Sequence, residues 1–342
     1  MSETAKDWAD AKADGVDIRE EADRIWARSM KIDHKPDWRD HVVSAAELQH
    51  RTFPSIKFIV PGLLPEGLTL LCGRPKVGKS WVALEIALAV ASGTVCFGGR
   101  LPQQGSVLYA ALEDNLRRLQ ARVEKLWSPF DTGWPEQLTL TTAWSRLDKG
   151  GVKDIAEWIK SADNPRLVIL DTLAGVKPIR GNGGYAEDYA SLQELHRLAN
   201  DLGIAVLVLH HTRKMDADDP FDTISGTLGL VGCADTALVF VGSSQGMRLY
   251  VRGRDIAEAE HAVSFDKTGC RWTILGDASE VQKSDTRKAI LKVLRATTEP
   301  LGPQEIAVLS DLKEELVKKT LARMAADGEI TKVGRGRYSL GK

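Results

Sequence analysis

Leu68-Thr69-Leu70-Leu71-Cys72 runs directly into Gly73-Arg74-Pro75-Lys76-Val77-Gly78-Lys79-Ser80. The first five residues read as a strand buried on both faces. The next eight satisfy G-x-x-x-x-G-K-[ST] at every fixed position, and the helix-like stretch Ser80–Ala91 follows. Strand, glycine-rich loop and helix in that order turn successive backbone N–H groups toward phosphate oxygens, with the positive end of the helix behind them. The expected ligand is therefore ATP with Mg²⁺. Gly73, Arg74, Pro75, Lys76, Val77 and Gly78 wrap the phosphates, Lys79 reaches the β- and γ-phosphates, and the Ser80 hydroxyl ligates the metal.

Outward from this loop, short apolar runs alternate with helix-like segments. The runs are Val107–Ala111, Leu167–Leu170, Ala205–Leu209, Thr236–Val241 and Met247–Val251. The segments Leu116–Leu126, Val152–Ser161 and Tyr189–Leu202 are long enough for crossover helices. The pattern predicts an α/β domain over residues 54–275 with a mostly parallel central sheet. Residues 1–53, acidic on balance and carrying Trp8, Trp26 and Trp38, read as a polar arm or adaptor. Residues 276–283 are small and polar, a linker by composition. Residues 284–342 predict three helices and a basic hairpin, the layout of a winged-helix domain.

Further positions carry chemistry. Leu112-Glu113-Asp114-Asn115 ends the strand after the loop's helix, where a carboxylate can orient and deprotonate a water attacking the γ-phosphate. A metabolite kinase needs no such base. Glu113 is the expected base and Asp114 a helix N-cap. Leu167-Val168-Ile169-Leu170-Asp171 is a buried strand ending in an acid, which places Asp171 on Mg²⁺ opposite Ser80. His210 and His211 end another buried strand. Adjacent strand residues face opposite sides, so one of them can report on the γ-phosphate while the other packs.

These residues together resemble the RecA/DnaB-type ATPase superfamily. Within it they are similar to the family around the plasmid-encoded hexameric replicative helicase RepA, a group often labelled AAA family ATPase. The likeness covers residues 54–275. It implies a homo-oligomeric ring, most simply a hexamer, acting in DNA replication of a phage or mobile element. ATP would sit between subunits, with Val251-Arg252-Gly253-Arg254-Asp255 supplying Arg252 and Arg254 in trans and His211 sensing the γ-phosphate. Single-stranded DNA would contact two loops, Lys177–Tyr185 and Arg213–Ser225. The second of these carries Asp216, Asp218, Asp219 and Asp222, against the basic character expected there. The tail would offer Lys313, Lys318, Lys319, Arg323, Lys332, Arg335 and Arg337 to duplex DNA or serve protein contacts. A regulatory or helicase-loading ATPase that does not unwind is the second reading.

The chain has 342 residues, 43% hydrophobic and 27% charged, with 46 basic against 47 acidic side chains. This excludes disordered, collagen-like and supercharged classes. The expectation is a cytoplasmic protein with no membrane partner, because no apolar run nears the ~18–20 residues of a bilayer span. The four cysteines, without metal or disulfide spacing, read as reduced thiols. A net charge of −1 hides a basic tail offset by acidic stretches elsewhere.

Overall fold

The structure is a computed structural model. It describes residues 39, 42–127, 133–178, 185–213, 217–226, 228–243, 246–297, 299–334 and 336–340. Trp8, Trp26, Trp38, Arg180, Lys214, Asp216 and Arg335 lie outside the described residues, as does the side chain of Tyr185. The chain forms two compact units. Of the described residues, the larger takes in those up to Gly242 with Met247–Ala259 and Val263–Ile274, and the smaller takes in Glu260–Ala262 and those from Leu275 onward.

In chain order, the first elements are helix α1 (Ala45–Gln49) and the small strand pair β1 (Phe58–Val60) and β2 (Leu64–Pro65). Strand β3 (Gly67–Gly73) then leads to α2 (Lys79–Ser92), and β4 (Ser106–Ala111) to α3 (Leu116–Trp127). Next come β5 (Leu138–Thr141), α4 (Gly151–Ser161), β6 (Pro165–Asp171) and α5 (Leu173–Val176). They are followed by α6 (Tyr185–Leu202), β7 (Ala205–His211) and α7 (Leu228–Cys233). Strands β8 (Thr236–Ser243), β9 (Gly246–Gly253), β10 (Ala259–Asp266) and β11 (Arg271–Asp277) complete the nine-stranded sheet, ordered β11-β10-β9-β8-β3-β7-β6-β4-β5. β3 pairs in parallel with β7 and β8, β6 with β7 and β4, and β4 with β5. The expected α/β architecture with a mostly parallel sheet is what these pairings make.

The apolar runs explain the layering. Side chains alternate across a strand, so Leu71, Tyr109, Ile169 and Leu207 join one buried cluster with α2 and α3. Their neighbours Leu70, Leu108, Val168 and Val206 join another with α4 and α6. Both faces are covered, as continuous apolar strands require. In the nine-stranded sheet, the strands that periodicity missed are those without such runs: β5 is a short edge strand, and β10 and β11 are buried only in part.

In the smaller unit α8 (Ala278–Ala296), α9 (Pro303–Ser310) and α10 (Glu314–Ala326) surround Ile290, Leu294, Ile306, Val317, Leu321 and Met324. Strands β12 (Thr331–Lys332) and β13 (Tyr338–Ser339) pair antiparallel, and Tyr338 also bridges to Leu301. The stretch 276–283, expected as a linker, is instead regular structure. β11 ends at Asp277, whose carboxylate accepts from Ser279 N at 2.9 Å and Glu280 N at 3.2 Å to cap α8. Small polar residues here are a helix start, not a flexible joint.

β7 lies between β3 and β6, and its Leu207 is fully buried. Leu207→Ala is expected to cost about 2–5 kcal/mol in the denaturant transition of the larger unit. Leu116→Ala, at a side chain 67% exposed, should stay within about 0.5 kcal/mol.

Candidate active site

The glycine-rich loop leaves β3 between two parallel neighbours, with Gly73 opposite His211 of β7 and Phe240 of β8. A Cβ on Gly73 would meet Val77 Cγ1 at 3.0 Å and Phe240 Cβ at 3.2 Å, closer than most side-chain contacts, so a side chain here would press both neighbours aside. Gly78 has φ +101°, a conformation that suits glycine. A Cβ there would strike the indole of Trp272, 3.1–3.4 Å away. That indole donates to Gly78 O at 3.3 Å, bracing the start of α2 from β11.

Lys79, 6% exposed, turns back to donate to the carbonyls of Gly73 at 2.8 Å and Arg74 at 3.2 Å. Burial lowers its pKa from the ordinary lysine value, while Cys72, Asp171 and Glu113 pull it back up. A cation held among loop carbonyls is poised for anionic oxygens. Its third neighbour is His211 Nδ1 at 3.4 Å.

The acids stand at the same ends of neighbouring strands. Asp171, the last residue of β6, is buried and accepts from the Tyr109 hydroxyl at 2.8 Å. Burial raises its pKa, the Ser80 and Tyr109 hydroxyls oppose that, and Glu113 adds to it. Thr172, joined to it by a cis peptide, donates its hydroxyl to Glu113 Oε1 at 2.8 Å. Glu113 Oε1 lies 3.9 Å from His211 Nε2, and its side chain is 58% exposed. A carboxylate oriented by a threonine and open to water suits a general base. Asp114 is not a helix cap. It pairs with Arg118 at 2.5 Å and Arg122 at 2.7 Å, and Asn115 caps α3 by accepting from Arg118 N at 2.9 Å. His210 is bonded separately, its Nε2 lying 2.9 Å from Ser225 O.

Lys79, Ser80, Glu113, Asp171 and His211 are therefore gathered at one edge of the sheet. Arg252 and Arg254 are not. Arg254 N donates to Asp235 O at 2.9 Å, and Asp235 bonds both the N–H and the carbonyl of Leu68 at 2.9 Å. Leu68 is the second residue of β3 and Gly73 its last. Five residue steps, roughly 16 Å at about 3.3 Å each, separate that end from the chain's own phosphate loop. Tyr109, Thr172 and Trp272 were not singled out in the sequence; only Thr172, next to Asp171, carried a signal by adjacency.

Comparison with known proteins bears on this arrangement. The AAA domain family matches over residues 34–217, more than half of the chain and inclusive of the phosphate loop, Glu113, Asp171 and His211. The chain belongs to the AAA domain family. The DNA repair protein RadA of Mycobacterium tuberculosis is 26% identical over 196 residues, covering 56% of this chain and 35% of that protein. RadA of Streptococcus pneumoniae is 25% identical over 184 residues, covering 53% and 37%. The chain thus matches about a third of the length of these curated relatives. A DnaB-like replicative helicase, solved in a study of its interactions with primase, shares the fold at TM-score 0.50. It is 13% identical, and the match covers 75% of this chain and 76% of that one. Family and fold agree with a RecA/DnaB-like P-loop ATPase. Among the described residues, no helix is long and apolar enough to cross a membrane.

This AAA ATPase has residues that fit Mg²⁺. Asp171 Oδ1 is buried and has no hydrogen-bond partner, a costly state unless something takes that oxygen. A hard, partly hydrated cation suits it together with the Ser80 hydroxyl. Bound there, the metal supplies neutralisation of phosphate charge.

Lys79→Ala and Glu113→Gln should each abolish turnover, the latter by roughly 10²–10⁴-fold. A fluorescent nucleotide should still bind Glu113→Gln.

The folded pKa of Asp171 stands above the ordinary 3.8, so the folded chain keeps a proton that the unfolded chain has lost. Stability therefore falls as pH rises from about 4 through the raised value. Without nucleotide, Asp171→Asn should melt higher than wild type at pH 7, and the gain should vanish near pH 4. The same variant should lose Mg²⁺-dependent nucleotide binding.

Proposed function

We propose that this protein is an ATP-hydrolysing DNA helicase or translocase of the RepA type, acting in replication as a ring. The observation that carries the reading is the separation of catalytic parts. Base, sensor and metal ligands lie at one edge of the sheet, while the Arg252–Arg254 element lies near the other, out of reach of its own phosphate loop. Such arginines can stabilise transferring phosphoryl charge only in a neighbouring subunit, where an arginine finger is worth ~10³–10⁵ in rate. A hexameric ring closes this head-to-tail contact. The RadA relatives are named as DNA repair proteins and the DnaB-like neighbour as a replicative helicase, which supports DNA as the track.

In this reading Mg²⁺ and ATP are held by the 73–80 loop and Asp171, Glu113 accepts the proton of the attacking water, and His211 sits at the γ-phosphate position. Single-stranded DNA passes through the channel, near Lys177 and Arg213. The smaller unit is a winged-helix domain that meets duplex DNA through Lys313, Lys319, Arg323 and Lys332. Lys318 is tied to Glu314 at 2.7 Å and Arg337 to the Pro300 carbonyl at 2.7 Å, so they contribute less. An origin in a phage or other mobile element and a cytoplasmic place of action complete the proposal.

One observation favours a helicase loader or regulatory ATPase instead. Asp218, Asp219 and Asp222 stand on the segment that a translocase would turn toward DNA. Strand displacement on a forked duplex separates the two, since DNA-stimulated hydrolysis without displacement fits only the loader.

Arg254→Ala should be inactive alone and partly rescued when mixed with Glu113→Gln subunits. Mass in solution should rise with MgATP and single-stranded DNA. A monomer under every condition would rule out both readings.

A further inference from the structure

The two arginines of the trans element are chemically unequal. Arg252 spends its donors inside its own chain. Nη1 donates to Asp219 Oδ2 at 2.7 Å, while Nε and Nη2 donate to Glu258 Oε1 at 3.0 and 2.6 Å. Its guanidinium also lies over the Phe221 ring, 4.1 Å from the centroid. Arg254 is 55% exposed, with one contact to the Gly232 carbonyl at 2.8 Å and a long one to Asp235 at 3.4 Å. A fork held by two carboxylates and stacked on an aromatic ring is a fastening, although Arg252 is 42% exposed, whereas one with fewer carboxylate contacts can reach outward.

What Arg252 fastens is informative. Asp219 and Phe221 belong to the segment that begins where β7 ends. Four links fold that segment back on the strand end. Arg213 N donates to Thr223 O at 2.7 Å, Ser225 N donates to His211 O at 3.0 Å, Thr212 bridges Ile224, and His210 bonds Ser225 O. Asp219 caps its single 3-10 turn by accepting from Phe221 N at 3.0 Å, and Phe221 is buried below. Partial burial pushes the Asp219 carboxyl up, but Arg252 and the Phe221 N–H outweigh it and hold the pKa below the ordinary value. At the other side, Glu258 lies in the β9–β10 connection that carries Arg254. Covalent chain and direct bonds thus run without a gap from His211, beside Lys79, to the turn bearing Arg254.

We propose that Arg252 is a positioning residue, tying Asp219 on the His211 side to Glu258 so that Arg254 is held for the neighbouring subunit's nucleotide. The inference rests on the trans reading given above. It divides the labour of that element: Arg254 touches the phosphate, and Arg252 acts through it.

The test compares Arg254→Ala, Arg252→Ala, Arg252→Lys, Asp219→Asn and the Asp219→Asn/Arg252→Ala double variant in the full chain. Hydrolysis by the assembled protein, nucleotide affinity and melting are measured for each. Arg252→Ala and Asp219→Asn should each lower kcat roughly 10–100-fold, the scale of a small misplacement. KM, nucleotide affinity and melting should stay near wild type. The double variant should be no worse than Arg252→Ala, because both remove one connection. Arg252→Lys keeps the charge without the fork and should fall between. Combining Asp219→Arg with Arg252→Asp should recover part of the rate.

Losses that multiply in the double variant would overturn the tie. So would an Asp219→Asn enzyme with wild-type kcat, or losses confined to melting and KM. If Arg252→Ala unfolds, Asp219→Asn and Arg252→Lys decide the matter. A fully active Arg254→Ala would remove the trans reading and this proposal with it. An inactive Arg254→Ala beside a fully active Arg252→Ala would remove this proposal alone.

Discussion

Lys79 keeps a positive charge almost out of water at the tip of a central strand, and the surrounding structure is arranged around that cost. Burial disfavours the ammonium, so the loop carbonyls of Gly73 and Arg74 accept hydrogen bonds from it while acids stand close by. The carbonyls are available only because the loop curls tightly. The curl is eased by a bare Cα at Gly73, close against Val77 and Phe240, and uses a left-handed turn at Gly78. Trp272 closes the arrangement from behind, with its indole on Gly78 O and its backbone N–H on the buried Glu85 of α2 at 3.1 Å. The phosphate site is therefore braced by a strand almost 200 positions further along the chain.

Parallel pairing explains why the remaining chemistry collects at the same edge. β3, β7, β6 and β4 are neighbours running in one direction, so the residues at their C-terminal ends share one rim. Each acid there is restrained by a hydroxyl, Asp171 by Tyr109 and Glu113 by Thr172. The two carboxylates differ in environment. Asp171 is buried and leaves one oxygen for a cation, whereas Glu113 stays open to water. Burial suits the first to holding charge and exposure suits the second to moving a proton.

The far end of the sheet is organised by Asp235. It joins the start of β3 to Arg254 and also takes His196 Nε2 at 2.9 Å. The proposed trans role of Arg254 starts from this placement, away from the rim that carries the chain's own phosphate loop. Charge placement follows the same logic. Aspartates after β7 that look misplaced for a DNA loop have a local use, since Asp219 caps a turn and grips Arg252.

The sequence by itself determined whatever is encoded in contiguous residues. The phosphate loop, its strand and its helix, the acid ending β6 and the histidines ending β7 were all legible, because backbone conformation and burial on both faces leave local patterns. The three tail helices were legible for the same reason. Tertiary structure alone decided which strand tips are neighbours, and so which side chains meet. Tyr109 reaches Asp171 across 62 positions, and Trp272 reaches Gly78 across 194. No periodicity records such pairings. The same holds for the division between Arg252 and Arg254, two residues alike in composition and two apart in sequence. It depends on where Asp219, Phe221 and Asp235 arrive in space, and strand order sets that.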